Sequence, residues 1–432
     1  MNHEKYEERL ALVKQVFQGF NLEPTDISPV DYEENLPFPY NNFIYKVSLA
    51  KPAAKDAFLN PGPYTAELPR EGPSELIIRL SNPAAEGLSH SNRVENEVAA
   101  IHLAREGLAG FKPDTVFAVP AVYAWQPAQP SSTDSEGRLG WIIMEFKPGV
   151  SLDKAFQHLD RSQKNDVLGQ LADIFSGIQR APLPKSLDSY GGITIQDGKL
   201  VHGQMTTLSG GPWKTYGEFW STRLASQLEH SEGSSALQGW KPNGVRERID
   251  KLFAAGVDSV LKGASVDTSL RSLVHADLTM NNVLFDAATN KVTGLVDFDF
   301  SCISHPFQEF VTSFGDVGGN ISGGHGPDLT EGRLSKALLT GSFDADNLPA
   351  EASELWASAK AWDAALGERG TLKPSTITGI SALAQLGTLE KLLCPFRLAH
   401  PMFLKKLTQD QIAEQRQAAE EALKACLGSL GF

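Results

Sequence analysis

The stretch from Leu273 to Ser301 gathers side chains able to do chemistry. It reads Leu-Val-His275-Ala-Asp277-Leu-Thr-Met-Asn-Asn282 and, after an apolar run from Val292 to Val296, Asp297-Phe298-Asp299. An aspartate follows a histidine by two positions, an asparagine follows that aspartate by five, and a second aspartate closes a β-like run. Such an oxygen-rich set suits phosphoryl transfer, which asks a protein for positioning and charge neutralisation and for little covalent chemistry. Mg²⁺ takes oxygen ligands, keeps several waters, and is usually held by one or two protein groups plus phosphate. Asp297 and the amide oxygen of Asn282 fit as its ligands. Asp277 is then free to accept the proton of an attacking hydroxyl, and His275 braces the loop.

Those side chains need a scaffold. The segments Val283-Leu-Phe and Gly294-Leu-Val read as two short strands joined by the turn Asp286 to Asn290. A hairpin of this kind brings Asp277, Asn282 and Asp297 to one edge of a small sheet.

The pattern H-x-D-L-x-x-x-N followed by a strand ending in Asp resembles the catalytic segment of kinase-fold phosphotransferases. In detail it is most similar to the aminoglycoside phosphotransferase and choline kinase superfamily. Protein kinases carry Arg and Lys where this chain has Ala276 and Thr279, and Asp-Phe-Gly where it has Asp297-Phe298-Asp299. No Ala-Pro-Glu follows, so the segment that docks a protein substrate is missing from the pattern. The likeness runs over roughly residues 38 to 320 and is strongest at 273 to 301.

The resemblance implies an α+β, two-lobe, protein-kinase-like fold. Residues 1–146 form a nucleotide-binding N-lobe, an antiparallel sheet with one helix. Residues 147–432 form a mainly helical C-lobe with the catalytic loop and the acceptor region. It implies ATP as co-substrate, Mg²⁺ as metal, and transfer of the γ-phosphate to a hydroxyl of a small molecule such as an amino-alcohol or an aminoglycoside. Arg79 stands where the family places the lysine that meets the phosphates, and its planar fork replaces a point charge. Glu97 is the helix glutamate expected to pair with it, with Glu95 as competitor. Tyr40 to Phe43 falls at the turn that covers the phosphates. It lacks glycine, and Asn41 and Asn42, which tolerate left-handed backbone, stand in. Ile143-Met144-Glu145-Phe146 resembles the hinge that meets the base. Asp299 is expected to assist a second metal or a cationic acceptor. His305-Pro306 departs from the family's Asp-Pro.

Periodicity supplies the elements that hold these residues. Residues 4 to about 20 read as an amphipathic helix ended by Pro24, and Phe43 to Leu49 as an alternating strand. Glu75 to Leu80 is a strand, Asn92 to Arg105 a helix, and Val119–Trp125 and Trp141–Phe146 two more strands, with Gln126 to Gly140 as the turn between them. Lys51 to Gly72 is an inserted loop, and Lys147-Pro148-Gly149 breaks the strand. Helices are expected at Leu152–Phe156, Asp166–Ile178, Thr215–Leu228, Gly244–Leu261, Glu351–Leu366, Thr376–Leu393 and Thr408–Leu427. A hairpin with an Asp-Gly turn is expected in Gly191–Val201, and a glycine-rich rim loop at 315–326.

Composition narrows the function classes. The 432 residues suit two lobes or domains. A net charge of −13 argues against nucleic acid as a partner, because phosphate binding wants a basic face. No run of about 18 apolar residues marks a membrane span, and the charged start is unlike a secretory signal. The three cysteines have no paired or metal-like spacing, which points to a reducing, cytoplasmic setting. No feature fixes a subunit number. Two rival readings exist. One is a nucleotide-binding scaffold without turnover, which the glycine-free turn and Arg79 favour. The other is a protein kinase, which the missing Ala-Pro-Glu disfavours.

Overall fold

The structure, a computed structural model, describes residues 2–33, 36, 38–129, 139–321, 330–344 and 352–432. Parts of three expected features lie outside them: residues 130–138 of the turn Gln126–Gly140, residues 322–326 of the rim loop, and the helix start at residue 351. The chain forms two compact units, Met1–Pro212 with His275–Ile303, and Trp213–Val274 with Ser304–Phe432. Every expected site residue belongs to the first unit.

The first unit opens with helix α1 (Tyr6–Gly19), then β1 (Pro24–Pro29), β2 (Asn42–Leu49), β3 (Glu75–Ser81), helix α2 (Arg93–Phe111), β4 (Val122–Gln126) and β5 (Trp141–Glu145). The strands pair antiparallel in the order β1-β2-β3-β5-β4. Pro24 does more than end the first helix: it begins β1, an edge strand the sequence reading did not include. An edge tolerates proline because one side of the strand needs no ladder hydrogen bond. Alternation fixes the two faces of the sheet. Phe43, Tyr45, Val47, Leu76, Ile78 and Leu80 join Val13 and Phe17 of α1 in one apolar core. Ile77 and Arg79, at the intervening positions of β3, point to the other face.

After β5, β6 (Val150–Ser151) pairs antiparallel with strand Val283–Asp286, which pairs in turn with Lys291–Leu295. This is the expected hairpin, and β6 is its third strand. Gly149 makes the approach possible. Its φ is +126, and a Cβ there would lie 2.8 Å from the Phe285 carbonyl oxygen. Helices α3 (Leu152–Phe156) and α4 (Arg161–Gln179) follow, then the hairpin β7 (Gly192–Gln196) and β8 (Lys199–Gly203). Its turn residues Asp197 and Gly198 both have positive φ, as a tight twisted hairpin turn requires.

The second unit is mainly helical, with its longer helices at Tyr216–Gly233, Val245–Ala255, Thr330–Thr340, Ser353–Glu368, Ile380–Leu393 and Gln409–Ser429. Thr215 with Glu218, and Thr408 with Gln411, form reciprocal capping boxes, each cap contributing about 1 kcal/mol. The single helix expected over Gly244–Leu261 is two, Val245–Ala255 and Val257–Gly263. Gly256 breaks it at φ 79, ψ 138, and its N–H closes the first helix on the Leu252 and Phe253 carbonyls. Helix Ile380–Leu393 begins four residues later than expected, behind Gly379 at φ 75. Among the described residues no helix is long and apolar enough to cross a membrane. An antiparallel sheet carrying a helix, joined to mainly helical chain, is the α+β class the sequence implies.

Candidate active site

Strand alternation aims Arg79 away from the apolar core, and three carboxylates receive it. Its Nη1 donates to Glu97 of α2, and its Nη2 lies 2.9 Å from Asp297 Oδ1 and 3.2 Å from Asp299 Oδ2. Arg79 is only 4% exposed and Glu97 3%. Burial works to discharge the guanidinium, but Asp297, Glu97 and Asp299 outweigh it and hold Arg79 above its ordinary pKa. Glu97 is raised as well, but for a carboxyl that favours the neutral form. Burial, with Asp299 and Asp297 nearby, raises its pKa against the pull of Arg79. The pair expected on Glu97 and not Glu95 is thus present.

A second buried cation was not legible beforehand. Arg93, the first residue of α2 and 2% exposed, donates from Nε to Asp299 Oδ1 at 3.1 Å and from Nη2 to Asp299 Oδ2. It also donates to the carbonyls of Asn82 at 3.2 Å and Asn41 at 3.0 Å, and to Asn42 Oδ1 at 3.1 Å. Asp299, 2% exposed, accepts from Asn42 Nδ2 as well, at 3.1 Å. Burial alone would raise the pKa of Asp299; Arg79 and Arg93 lower it instead. Asp299 is therefore enclosed by arginines and an amide, and it is absent from the cavity lining. A buried, fully bonded carboxylate does not suit the metal or acceptor role expected for it.

The stretch from His275 to Asp297 is tied by short-range bonds. His275 is fully buried; its Nδ1 accepts from the Asp277 N–H at 3.3 Å, so Nε2 carries the proton donated to the Val296 carbonyl at 3.2 Å. Its ring packs edge-on against Phe298, 4.5 Å between centroids. Asn282 Nδ2 donates to both the carbonyl and Oδ2 of Asp277, each at 2.8 Å. The Val296 N–H closes on the Asn282 carbonyl at 2.9 Å, which carries Asp297 to the same edge. Ala276 and Asp297 adopt left-handed backbone, φ 68 and 65. Non-glycine residues rarely do so, and such positions concentrate at functional sites.

The donor set fits a hard divalent cation. The amide nitrogen of Asn282 is spent on Asp277, which leaves its oxygen as the acceptor. Arg79 takes one oxygen of Asp297, whose side chain remains 35% exposed. Asn282 and Asp297 both line a cavity of about 570 Å³, the size of a small-ligand pocket. Asp277 is half-buried, bonded to Asn282, and is not itself among the lining residues.

The same cavity is lined by Asn41, Asn42, Arg79, Glu145 and Phe146. Asn42 and Phe43 are the first residues of β2, opposite Ser81 and Leu80, so the turn expected at Tyr40–Phe43 is instead the end of the longer connection 30–41. Neither Asn41 nor Asn42 has positive φ. The end of the connection is held by the N-terminus: Asn2 Oδ1 accepts from the Tyr40 N–H at 2.9 Å, and its Nδ2 donates to the Phe38 carbonyl at 2.8 Å. Buried Arg9 holds the Asn2 carbonyl at 2.6 Å and lies 3.8 Å from the centre of the Phe43 ring. At the end of β5, Glu145 Oε2 accepts from the Ala121 N–H at 3.1 Å, while Oε1 pairs with Lys147 Nζ at 2.7 Å. Phe146 lies beneath the Lys46 ammonium, 4.3 Å from its ring centre.

Buried histidines set an acid limit on stability. His275 in the first unit and His305 in the second are each pushed down by burial from 6.5 to about 4. His305 accepts from the Phe307 N–H at 3.0 Å, the capping task an aspartate would have done. Each histidine stays neutral when folded but protonates below about pH 6.5 when unfolded. Its stabilising share is present above that pH and lost as pH falls toward 4, roughly 3 kcal/mol per histidine. Denaturant midpoints are expected to drop between about pH 7 and 4, and His275→Gln to flatten the drop. A midpoint that stays constant over that range would refute the burial argument.

Comparison with known proteins adds one assignment. No curated protein matches the sequence. Among solved structures, a protein from Ralstonia eutropha JMP134 described as an aminoglycoside phosphotransferase is 16% identical, covers 98% of each chain and gives a TM-score of 0.46. An amicoumacin kinase bound to AMP-PNP and Ca²⁺ is 12% identical, over 96% of this chain and 94% of its own, at a TM-score of 0.45. At these scores the likenesses carry no weight of their own. The model of the phosphotransferase enzyme family, by contrast, matches residues 66–325, more than half of the chain. That span holds Arg79, Glu97, Glu145, Phe146 and the whole of the hairpin with Asp277, Asn282 and Asp297, and the chain belongs to the phosphotransferase enzyme family.

Proposed function

We propose that the chain is an ATP-dependent phosphotransferase that moves the γ-phosphate to a hydroxyl of a small molecule, an amino-alcohol or an aminoglycoside-like compound. The observation that carries the reading is the Asp277–Asn282 contact at 2.8 Å, continuous through Val296 with Asp297 at the wall of a cavity. Asp277 orients the acceptor hydroxyl and takes its proton as the oxygen attacks phosphorus. Asn282 fixes the Asp277 carboxylate through its amide nitrogen. The Asn282 amide oxygen and the Asp297 carboxylate are the groups that would hold Mg²⁺. When bound, the metal neutralises charge on the phosphates. His275 holds the loop by its two ring nitrogens and does not react.

Residues 1–146 supply the nucleotide side of the reaction, with Asn41, Asn42, Glu145 and Phe146 along the cavity. Residues 147–432 supply the catalytic loop and the acceptor region. A cytoplasmic setting is supported by the three cysteines, none of which forms a disulfide, and the net charge of −13 supports a partner other than nucleic acid.

A second reading, a nucleotide-binding scaffold without turnover, is favoured by one observation: both terminal nitrogens of Arg79 are already bonded to carboxylates. Calorimetric titration of ATP and GTP with and without Mg²⁺, followed by amino-alcohols, sugars and aminoglycosides, separates the two. The phosphotransferase reading expects metal-dependent nucleotide binding and a second, saturable acceptor event. Nucleotide binding with no acceptor event across the panel favours the scaffold.

A further inference from the structure

A triphosphate needs cationic contacts, and among the described residues the cavity lining offers three cations: Arg79, Lys147 and Lys154. The first is engaged by Glu97, Asp297 and Asp299 and is 4% exposed. The second is 8% exposed and pairs with Glu145 at 2.7 Å. The third differs. Lys154 lies on α3, whose Leu152 and Phe156 are buried and whose start is fixed by Ser151 Oγ, which donates to the Asn281 carbonyl at 3.2 Å. That bond seats the helix on the residue preceding Asn282. The Lys154 side chain is 66% exposed, and its ammonium lies 3.9 Å from Asp31 Oδ1. Asp31 is itself 83% exposed, on the connection 30–41. An exposed pair at this separation holds its members weakly.

The local charge count sharpens the need. Arg79 and Arg93 face the three carboxylates Glu97, Asp297 and Asp299, so this cluster has no surplus positive charge to offer. The connection 30–41 has no glycine to let bare backbone approach a phosphate. We infer that Lys154 is the phosphate-binding cation of the nucleotide site, held in reserve by Asp31 and released to the triphosphate when nucleotide enters the cavity. Arg79 is then a positioning residue that sets the Asp297 carboxylate, and the anionic nucleotide is met by Lys154. The inference rests on the phosphotransferase reading.

The test compares full-length wild type with Lys154→Gln, Lys154→Arg and Asp31→Asn, using MgATP turnover with an acceptor and calorimetric binding of ATP and of adenosine. Lys154→Gln is expected to raise KM for MgATP about tenfold while kcat changes less than twofold, because a charge-assisted contact to phosphate is lost. ATP binding should weaken and adenosine binding should not. Lys154→Arg should restore most of the affinity, and Asp31→Asn should lower KM, since the lysine loses its competitor. A Lys154→Gln enzyme within twofold of wild type in KM overturns the assignment, as does equal weakening of adenosine and ATP. A wild type that neither binds nor turns over nucleotide overturns the underlying reading, and the inference with it.

Discussion

Asp277→Asn is expected to lower kcat by about 10²- to 10⁴-fold, the usual contribution of a positioned general base. This corresponds to roughly 3–5 kcal/mol of transition-state stabilisation. The change is nearly isosteric. The new amide oxygen can still accept from Asn282 Nδ2, which now meets Asp277 Oδ2 at 2.8 Å, so the loop should keep its shape. KM for nucleotide should stay within a few-fold, and the denaturation midpoint should hardly move. The split matters: loss of kcat with binding and folding intact assigns Asp277 to proton transfer. A variant that keeps kcat within threefold would remove Asp277 from the chemistry.

Arg79→Met should destabilise the first unit by about 3–5 kcal/mol, the typical result of deleting one partner of a buried ion pair. Glu97 and Asp299 are 3% and 2% exposed, and neither reaches water easily once Arg79 is gone. Arg93 still serves Asp299, but Glu97 is left without its hydrogen-bonded cation. Against a total stability of about 5–15 kcal/mol this is a large fraction. Arg79→Lys keeps the charge but not the fork that reaches Glu97 with one nitrogen and Asp297 with another, so its loss should be smaller. Chemical denaturation measures both. A methionine variant as stable as wild type would show that the carboxylates simply take up protons and that Arg79 is dispensable to the fold.

What was readable beforehand had local causes. The hairpin around Asp277, Asn282 and Asp297 is encoded by alternation and turn residues within thirty or so positions, so sequence spacing already constrained its geometry. The pairing of Arg79 with Glu97 is what the family resemblance implies, since it places a cation on that strand and a glutamate on the following helix. What escaped notice depends on distance in sequence or on single backbone angles. Arg93 meets Asp299 across 206 positions, and a basic residue opening a helix carries no mark of such a partner. Asp299 was read as a free ligand because its enclosing residues, Arg93 and Asn42, come from elsewhere in the chain. Gly256 reads equally well as helix interior and as a break until its φ is known. Lys147 and Lys154 belong to no motif, and only the cavity singles them out.

Transfer of label from [γ-³²P]ATP tests the central claim most directly. Wild-type protein with Mg²⁺ and a panel of amino-alcohols, sugars and aminoglycosides should move the label onto at least one small hydroxyl compound, and Asp277→Asn should not. If the wild type binds nucleotide but leaves the label on ATP with every acceptor, oxygen ligands gathered at the hairpin edge serve binding alone, and phosphoryl transfer is contradicted.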